Sequence, residues 1–238
     1  MPKKLRSAFS FSFQASVWKT VIDAAGTRLF LELRRTEDKQ PHFAAVDLTS
    51  GQLLWKDFTL ATPNGWVTLH SADDQYLVFQ AFTDTHNPEK KSYYLVEIAT
   101  QKVIQSSNYS SVASGEADKQ KSVKKQNNGM RQPFFYAEDQ LYFTTVANFI
   151  ISLGLDKPVG GCEYLEYENY IGIAYYVPTE QKGELANYLL IIDQTREILL
   201  HMCLEKSVPQ PGLGTFFVVQ NQLIVVENKT RLVSYELP

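Results

Sequence analysis

The feature that most constrains the fold is an internal repeat of hairpin-like segments. WKTVIDAAGTRLFLEL, beginning at Trp18, aligns without a gap to WVTLHSADDQYLVFQA, beginning at Trp66, at an offset of 48 residues. Each segment contains an apolar strand, a polar turn and a second apolar strand, and weaker copies begin at Phe134, Leu165 and Phe216. Self-similarity at this period is typical of folds that repeat one supersecondary unit.

A second repeated pattern follows some of the hairpins. AVDLTSGQLLW from Ala45, LVEIATQKVIQ from Leu95 and LIIDQTREILL from Leu190 align without gaps, and each places a short polar turn between two apolar strands. Two hairpins per repeat give four strands per unit, which is the strand number of one β-propeller blade. Five hairpin starts therefore predict five blades.

Short apolar or alternating runs bounded by turn residues predict strands along the whole chain. They are Leu29–Leu33, His42–Leu48, Gln52–Phe58, Tyr76–Phe82, Ser92–Ile98, Leu141–Val146, Tyr170–Val177, Tyr188–Ile192, Phe216–Val219, Leu223–Val226 and Arg231–Leu237. No long window combines an i, i+3, i+4, i+7 apolar face with a capping residue in front of it, so almost no helix is predicted.

The two ends of the chain complement each other. The fifth repeat stops one strand short, whereas Leu5–Phe13 alternates apolar and polar residues before the first repeat begins. We therefore predict that the N-terminal strand pairs with the C-terminal strand and closes the last blade, which removes an exposed edge. The predicted fold is an all-β, five-bladed β-propeller, with residues 1–238 as a single domain. A split or incomplete propeller is the alternative, because the third repeat is compressed around Asn148–Leu155.

One copy of the second pattern carries a recognisable motif, Ala45-x-Asp47-x-x-Ser50-Gly51-x-x-x-Trp55. It resembles the AxDxxTGxxxW repeat of the quinoprotein-alcohol-dehydrogenase-like (PQQ-type) propellers. The resemblance implies a propeller fold, and we expect a bacterial family of unknown function. Quinone-dependent members typically have eight blades and calcium-binding acidic loops, whereas this chain has about half that length and no such cluster. We therefore expect no cofactor and no metal.

Composition narrows the class of protein. The 14 Phe, 13 Tyr and 3 Trp residues exclude disorder of the whole chain. A sequence pI near 5.8 argues against nucleic acid as a partner, and no apolar run approaches the ~18 residues of a membrane span. The first residues alternate apolar and polar side chains rather than forming a signal peptide, so we expect a cytoplasmic protein with no membrane partner. Cys162 and Cys203 have no metal-ligand spacing, and reduced thiols are expected.

Motifs for metal or nucleophilic chemistry do not emerge from the sequence. The four histidines lie singly in different segments, at His42, His70, His86 and His201. The Gly-Gly pair before Cys162 is interpreted as a connection between blades, because no strand, glycine loop and helix surround it to bind phosphate. The polar insertion at residues 113–132 carries a net positive charge and is interpreted as a solvated loop. The alternative is contact with an acidic protein, a lipid headgroup or nucleic acid, of which nucleic acid is disfavoured because no aromatic residue is interleaved.

Acidic pairs supply the case for an enzyme. Glu163 with Glu166, and Asp73 with Asp74, have the residue types that glycoside hydrolysis requires. Charged turns on a propeller rim are far commoner than catalytic pairs, so no catalytic residues are assigned. The alternative is a hydrolase or lyase, glycosidase-like, with its site at the mouth of the propeller channel.

The preferred function is a noncatalytic binding or scaffold module, whose partner is a protein or a small carbohydrate or anion. The first strand of each blade lines the central channel of a propeller, which makes Lys19, His70 and Tyr136 the polar candidates for ligand binding. Trp18 and Trp66 are expected to occupy equivalent, largely buried positions between blades. Replacing either by Ala is expected to cost roughly 3–5 kcal/mol.

Overall fold

The structure, a computed structural model, describes residues 5–38, 40–62, 66–82, 84, 87, 90–105 and 129–237. These residues form antiparallel strands in four blade-like sheets, together with one α-helix. The chain divides into two compact units. Residues 11–130 form the N-terminal unit, and residues 1–10 together with residues 131–238 form the C-terminal unit. The single domain expected for residues 1–238 stays a prediction.

Both sheets of the N-terminal unit are four-stranded, with strands adjacent in the sheet in the same order as in the chain. After β1 (Arg6–Ser12), the first sheet contains β2 (Ser16–Ile22), β3 (Arg28–Arg34), β4 (His42–Asp47) and β5 (Gln52–Phe58). The second contains β6 (Val67–Ala72), β7 (Tyr76–Phe82), β8 (Lys91–Glu97) and β9 (Val103–Gln105). Two hairpins per sheet confirm the four-stranded repeat that the sequence predicts for this part of the chain.

The turns of the second repeated pattern have the same backbone conformation in all three copies, although the two later copies lack the glycine of the first. Gly51, Gln101 and Arg196 take the same place in the three aligned copies, and their φ angles are 65°, 59° and 68°. In the first copy the amide of Ser50 donates to Asp47 Oδ1 at 2.7 Å. Glycine adopts a left-handed conformation without steric cost, so the two later copies retain the turn with a less suitable residue.

The C-terminal unit has two five-stranded sheets. One contains, in order, β11 (Phe134–Ala137), β12 (Gly161–Tyr167), β13 (Tyr170–Pro178), β14 (Leu185–Asp193) and β15 (Ile198–Val208). The other combines β10 (Met130–Arg131), β16 (Phe216–Val219), β17 (Gln222–Glu227) and β18 (Arg231–Glu236) with β1, in the order β1-β18-β17-β16-β10. The predicted pairing of the N-terminal strand with the C-terminal strand is confirmed, because β1 lies beside β18.

The expected strand at Leu141–Val146 is wrong, because these residues begin the helix α1 (Leu141–Ser152). The helix buries Phe143, Val146, Ala147 and Ile150, which have the i, i+3, i+4, i+7 spacing of an amphipathic helix. Its N-cap residue, Gln140, makes no side-chain capping bond. The missing cap signal and the β-branched and aromatic residues explain why the sequence favoured a strand here.

The helix also changes the number of sheets. The third repeat contributes β11 as an edge strand of the sheet that contains the fourth repeat, and then continues into α1. Five hairpin starts therefore give four sheets among the residues that the structure describes.

The core of the N-terminal unit is built from both of its sheets, with Phe30, Phe43, Leu69, Leu77 and Phe79 fully buried. Leu29 and Leu77, which align in the repeat, are both fully buried.

The predicted burial of the two aligned tryptophans is wrong: Trp18 is 66% exposed and Trp66 is 62% exposed. Trp18 is the extra residue of a β-bulge between Val17 and Lys19, and Trp66 precedes the first residue of β6. A bulge shifts the alternation of side chains, so the ungapped alignment does not place the two indoles equivalently.

Candidate functional site

The two sheets of the N-terminal unit are joined by side chains that bind one edge residue. Leu69 lies on β6, an edge strand. Its amide donates to Glu32 Oε2 at 2.9 Å, and its carbonyl accepts from Lys19 Nζ at 2.5 Å. The hydroxyl of Thr68 also donates to Glu32, at 2.6 Å. The residues of an edge strand have backbone groups that no neighbouring strand can bond. Glu32 and Lys19 bond the backbone amide and carbonyl of Leu69 instead. We call Lys19, Glu32, Thr68 and Leu69 the inter-sheet clamp.

Lys19 and His70, two of the three predicted ligand-binding residues, lie close together. His70 is the extra residue of a bulge in β6, and its ring packs edge-on against Tyr93 at 5.5 Å between centroids. Partial burial of the imidazole and the positive charges of Lys19 and Lys91 lower the pKa of His70. The ammonium of Lys19 is bound to a backbone carbonyl in the inter-sheet clamp, which gives this residue a structural task.

Tyr136, the third predicted residue, lies in the C-terminal unit. Its ring stacks on Tyr142 at 5.4 Å and contacts Tyr164 at 6.2 Å between centroids. Ligand binding by Lys19, His70 and Tyr136 stays a prediction.

An open cleft of about 460 Å³ lies in the N-terminal unit. It is lined by Arg34, Arg35, Asp38, Pro41, Trp66, Val67, Thr68 and Phe82. Its size falls within the range of small-molecule sites. Trp66 is exposed there, and no aromatic ring or cation stacks on it among the described residues. We call it the Arg34–Trp66 cleft.

Arg34 is held in this cleft from two directions. Its Nε and Nη2 atoms lie 2.7 and 2.6 Å from Glu32 Oε1. Its guanidinium carbon lies 4.9 Å from the centroid of the Trp18 ring, a cation–π contact. Glu32 therefore serves both the inter-sheet clamp and the cleft, one oxygen in each. The alternation of β3 explains this double role, because residues two apart on a strand face the same side.

The second arginine of the cleft has an incomplete set of partners. Arg35 Nη1 lies 3.4 Å from Asp38 Oδ2, and His42 Nε2 lies 3.1 Å from the same oxygen. Among the described residues, Arg35 Nε and His42 Nδ1 are buried without a hydrogen-bond partner. Buried polar atoms without partners are uncommon in folded proteins.

The acidic pairs proposed for glycosidase chemistry are engaged in structural contacts. Glu163 is buried and accepts from the amides of Gly214 and Thr215, the latter at 3.1 Å, and from the Thr215 hydroxyl. Glu166 accepts from a tyrosine hydroxyl on its own strand. In the N-terminal unit, Asp73 Oδ1 accepts from the amides of Gln75 and Tyr76, where the β6–β7 turn leads into β7.

The cysteines and histidines form no chemical centre where the structure describes them. Cys162 is fully buried, and burial, followed by the nearby charge of Glu163, raises the pKa of its thiol to about 12. Both cysteines are free thiols, as expected. Within the described ranges, no three His, Cys, Asp or Glu side chains are grouped so as to hold a metal ion. His86 and residues 113–128 of the basic insertion lie outside those ranges. No helix that the structure describes is long and apolar enough to span a membrane.

Sequence reasoning missed the Arg34–Trp66 cleft. The available signal was the pair Arg34-Arg35 at the end of an apolar strand, with Asp38 and His42 soon after. The alternation in LFLELRR places Glu32 and Arg34 on one face, but a strand pattern does not show that Trp66, 32 residues later, lines the same cleft.

Comparison with family models gives one match inside the N-terminal unit. Residues 22–104 match a domain of unknown function, DUF4905. The matched stretch includes Glu32, the arginines of the cleft and Trp66, and covers about a third of the chain. A comparison with curated proteins finds no match.

Comparison with solved structures gives weak similarities to other β-rich proteins. A member of the DUF4221 family from Bacteroides vulgatus is 9% identical with a TM-score of 0.39, covering 99% of this chain and 98% of that chain. The β-propeller domain of the Trilobed protease from Pyrococcus furiosus is 9% identical with a TM-score of 0.31, covering 94% and 81%. An oligogalacturonate lyase in complex with manganese is 10% identical with a TM-score of 0.26, covering 100% and 67%.

Proposed function

We propose that this protein is a noncatalytic binding module, and that its N-terminal unit binds a small polar molecule in the Arg34–Trp66 cleft. The observation that carries the proposal is that an exposed indole, Trp66, and two part-exposed charged side chains, Arg35 and Asp38, line the same cleft. Ligand sites combine apolar or aromatic walls with a few fixed polar groups. The lining of this cleft has both.

A bound ligand would gain two kinds of contact. Covering the face of Trp66 removes apolar surface from water. The side chain of Arg35 is 34% exposed, and an acceptor beside its guanidinium would form a charge-assisted hydrogen bond, which is stronger than a neutral one. The arginine beside it is already fixed by Glu32 and Trp18, so binding loses little side-chain entropy there.

The lining does not favour the alternative of a hydrolase or lyase. Glycoside hydrolysis uses two carboxyl groups about 5–9.5 Å apart on either side of the scissile bond. Among the described residues that line the cleft, Asp38 carries the one carboxylate, and it is bound by Arg35 and His42. The described residues give no evidence of a catalytic site.

Fluorine NMR on protein labelled with 5-fluorotryptophan tests the proposal. The chain has 3 tryptophans, so each signal is assigned by a Trp→Phe variant. A fragment library of sugars, carboxylates, phosphates and nucleosides is added at about 1 mM, the scale of weak binding. We expect at least one compound to shift the Trp66 signal and leave that of Trp55, which packs on the core, unchanged. A library in which no compound shifts the Trp66 signal would overturn the proposal.

A further inference from the structure

We propose that the molecule bound in the Arg34–Trp66 cleft is a neutral saccharide, with a pyranose ring stacked on Trp66 and its hydroxyls bonded to Arg35 and Asp38. This inference rests on the proposed function, since it names the ligand of the same site. It follows from the charge balance of the cleft, from the order of its donors and acceptors, and from its exposed aromatic face.

Both arginines that the structure describes in the cleft already face a carboxylate. Arg34 is paired with the buried carboxylate of Glu32 at 2.6 Å, and Arg35 lies 3.4 Å from the carboxylate of Asp38. Two guanidinium groups therefore face two carboxylates. A balanced set of charges offers little net Coulombic attraction to an anion, and an anion placed at Arg35 would be repelled by Asp38 at short range.

Donors and acceptors are adjacent at the floor of the cleft. A guanidinium only donates hydrogen bonds and an ionised carboxylate only accepts them, whereas a hydroxyl does both. A ligand that bonds Arg35 and Asp38 together must accept at one point and donate at a neighbouring point. Two hydroxyls on adjacent carbons of a sugar meet this requirement. A phosphodiester or carboxylate group only accepts, so it could bond Arg35 but would add no hydrogen bond to Asp38.

The aromatic wall suits the apolar face of a sugar ring. The π-face of an indole carries partial negative charge, and the C–H groups on one side of a pyranose carry partial positive charge. Trp66 offers such a face at 62% exposure. Trp18 is similarly exposed, but Arg34 lies over its ring. Trp66 is therefore the stacking residue and Trp18 supports the arginine.

The fluorotryptophan-labelled full chain tests this inference with defined probes. Cellotetraose, maltotetraose, mannotetraose and chitotetraose are the neutral probes, and trigalacturonate and inorganic phosphate are the charged ones. We expect a neutral tetrasaccharide to shift the Trp66 signal in a saturable way. Its affinity should change less than about twofold between about 0.05 M and about 0.5 M NaCl, because screening acts on charges.

Variants then assign the contacts by titration calorimetry. Trp66→Ala and Arg35→Met should each weaken the affinity for that tetrasaccharide about tenfold, the scale of one stacking or hydrogen-bonding contact. Phe134→Ala is the matched control, because this aromatic residue is 73% exposed in the C-terminal unit, and it should leave the affinity unchanged. Melting temperatures within a few degrees of wild type show that the variants are folded.

Different failures identify different errors. If trigalacturonate or phosphate shifts the Trp66 signal and no neutral tetrasaccharide does, the saccharide inference is overturned while the proposed binding function stands. If a tetrasaccharide binds without shifting the Trp66 signal, the inference about this cleft is overturned. If neither these probes nor the fragment library shift the signal, the proposed function fails as well.

Discussion

Two buried glutamates perform the same task in the two units of this protein, with different partners. In the N-terminal unit, Glu32 accepts from the amide of Leu69 and the hydroxyl of Thr68, which belong to the edge strand of the next sheet. In the C-terminal unit, Glu163 accepts from the amide and hydroxyl of Thr215, just before β16 of the other sheet. Each carboxylate thus attaches one sheet to the chain of another.

The difference is the presence of a cation. Arg34 occupies the second oxygen of Glu32, whereas the hydrogen bonds shown for Glu163 come from neutral amides and a hydroxyl. Burial raises the pKa of Glu163 despite these bonds. In the N-terminal unit the same kind of contact also fixes an arginine beside an open cleft. A structural carboxylate thereby becomes part of a candidate binding site.

Removing Glu32 should have the largest effect on stability. Glu32→Ala leaves the amide of Leu69 without its partner and frees Arg34, so we expect a loss of about 3 kcal/mol in the free energy of unfolding. Urea denaturation measures it. Glu37→Ala is the matched control, because this exposed glutamate lies in the turn after β3; it should change stability by less than about 0.5 kcal/mol. If Glu32→Ala also lowers the free energy of unfolding by less than about 0.5 kcal/mol, the inter-sheet clamp does not stabilise this unit.

Removing Glu163 should cost less, about 2 kcal/mol, because its partners are neutral and no cation loses its carboxylate partner. The same denaturation experiment measures it, with the exposed Glu180→Ala as control. If Glu163→Ala proves more costly than Glu32→Ala, then the arginine adds nothing to the attachment of the sheets, and the comparison is wrong.

The pH dependence of stability should distinguish Glu163 from Asp23 of the N-terminal unit. Burial, opposed by hydrogen bonds from Thr215 and Gly214, raises the pKa of Glu163 above its usual 4.5. The folded protein then holds a proton at pH values where the unfolded chain has lost it, so stability falls as the pH rises from 4.5 through the folded pKa. Unfolding of Glu163→Gln, followed by urea denaturation across this range, should lack this fall.

Asp23 should show the opposite pH dependence. Burial raises the pKa of its carboxyl, but hydrogen bonds from Arg28 and Thr27 outweigh this and hold the pKa below the usual 3.8. Its contribution to stability is therefore present above pH 3.8 and lost as the pH falls through the folded pKa. In the variant Asp23→Asn, this loss of stability at low pH should be absent, as measured by urea denaturation at different pH values. If wild type and variant lose the same stability on acidification, then Arg28 does not stabilise the ionised carboxylate of Asp23.

The exposed tryptophans should have the smallest effect on stability. Trp18→Ala and Trp66→Ala should each cost less than about 1 kcal/mol, because Trp18 loses one exposed cation–π contact and Trp66 loses only partial packing. Phe79→Ala, in the core of the same unit, should cost about 3–5 kcal/mol and serves as the reference. Thermal denaturation gives the comparison, and equal losses for Trp66 and Phe79 would contradict the exposure of the cleft.

Local sequence patterns predicted most strands of the N-terminal unit. They also predicted burial where the alternation along a strand decides which side chains face the core. Leu29 and Leu77 take equivalent places in the repeat and both are fully buried. The extra strand at the N-terminus and the missing strand at the C-terminus together predicted that the two chain ends pair, because this pairing removes an exposed sheet edge. The patterns failed at α1, where Phe143 and Ile150 had the helical spacing but no capping residue marked the start.

The candidate site was predicted only in part. Lys19 and His70 were identified as polar residues on first strands, and they do lie close together. Arg34, Arg35 and Trp66 were missed as a group, since the pattern of one strand does not show which residues of the next sheet lie beside it. The bulges at Trp18 and His70 were missed as well, because a bulge depends on how two strands pair, which a single strand's residue pattern does not specify.

The sequence by itself determined the repeat, the four-stranded units, the turn positions and the pairing of the two chain ends. These features depend on the period-two alternation of side chains and on turn residues, which act over a few residues of chain. Tertiary structure alone decided that Glu32 bonds Leu69 and Arg34 at once, and that Trp66 and Arg35 line one cleft. The physical reason is that the packing of two sheets decides which side chains meet. Glu32 and Leu69, for example, are 37 residues apart along the chain.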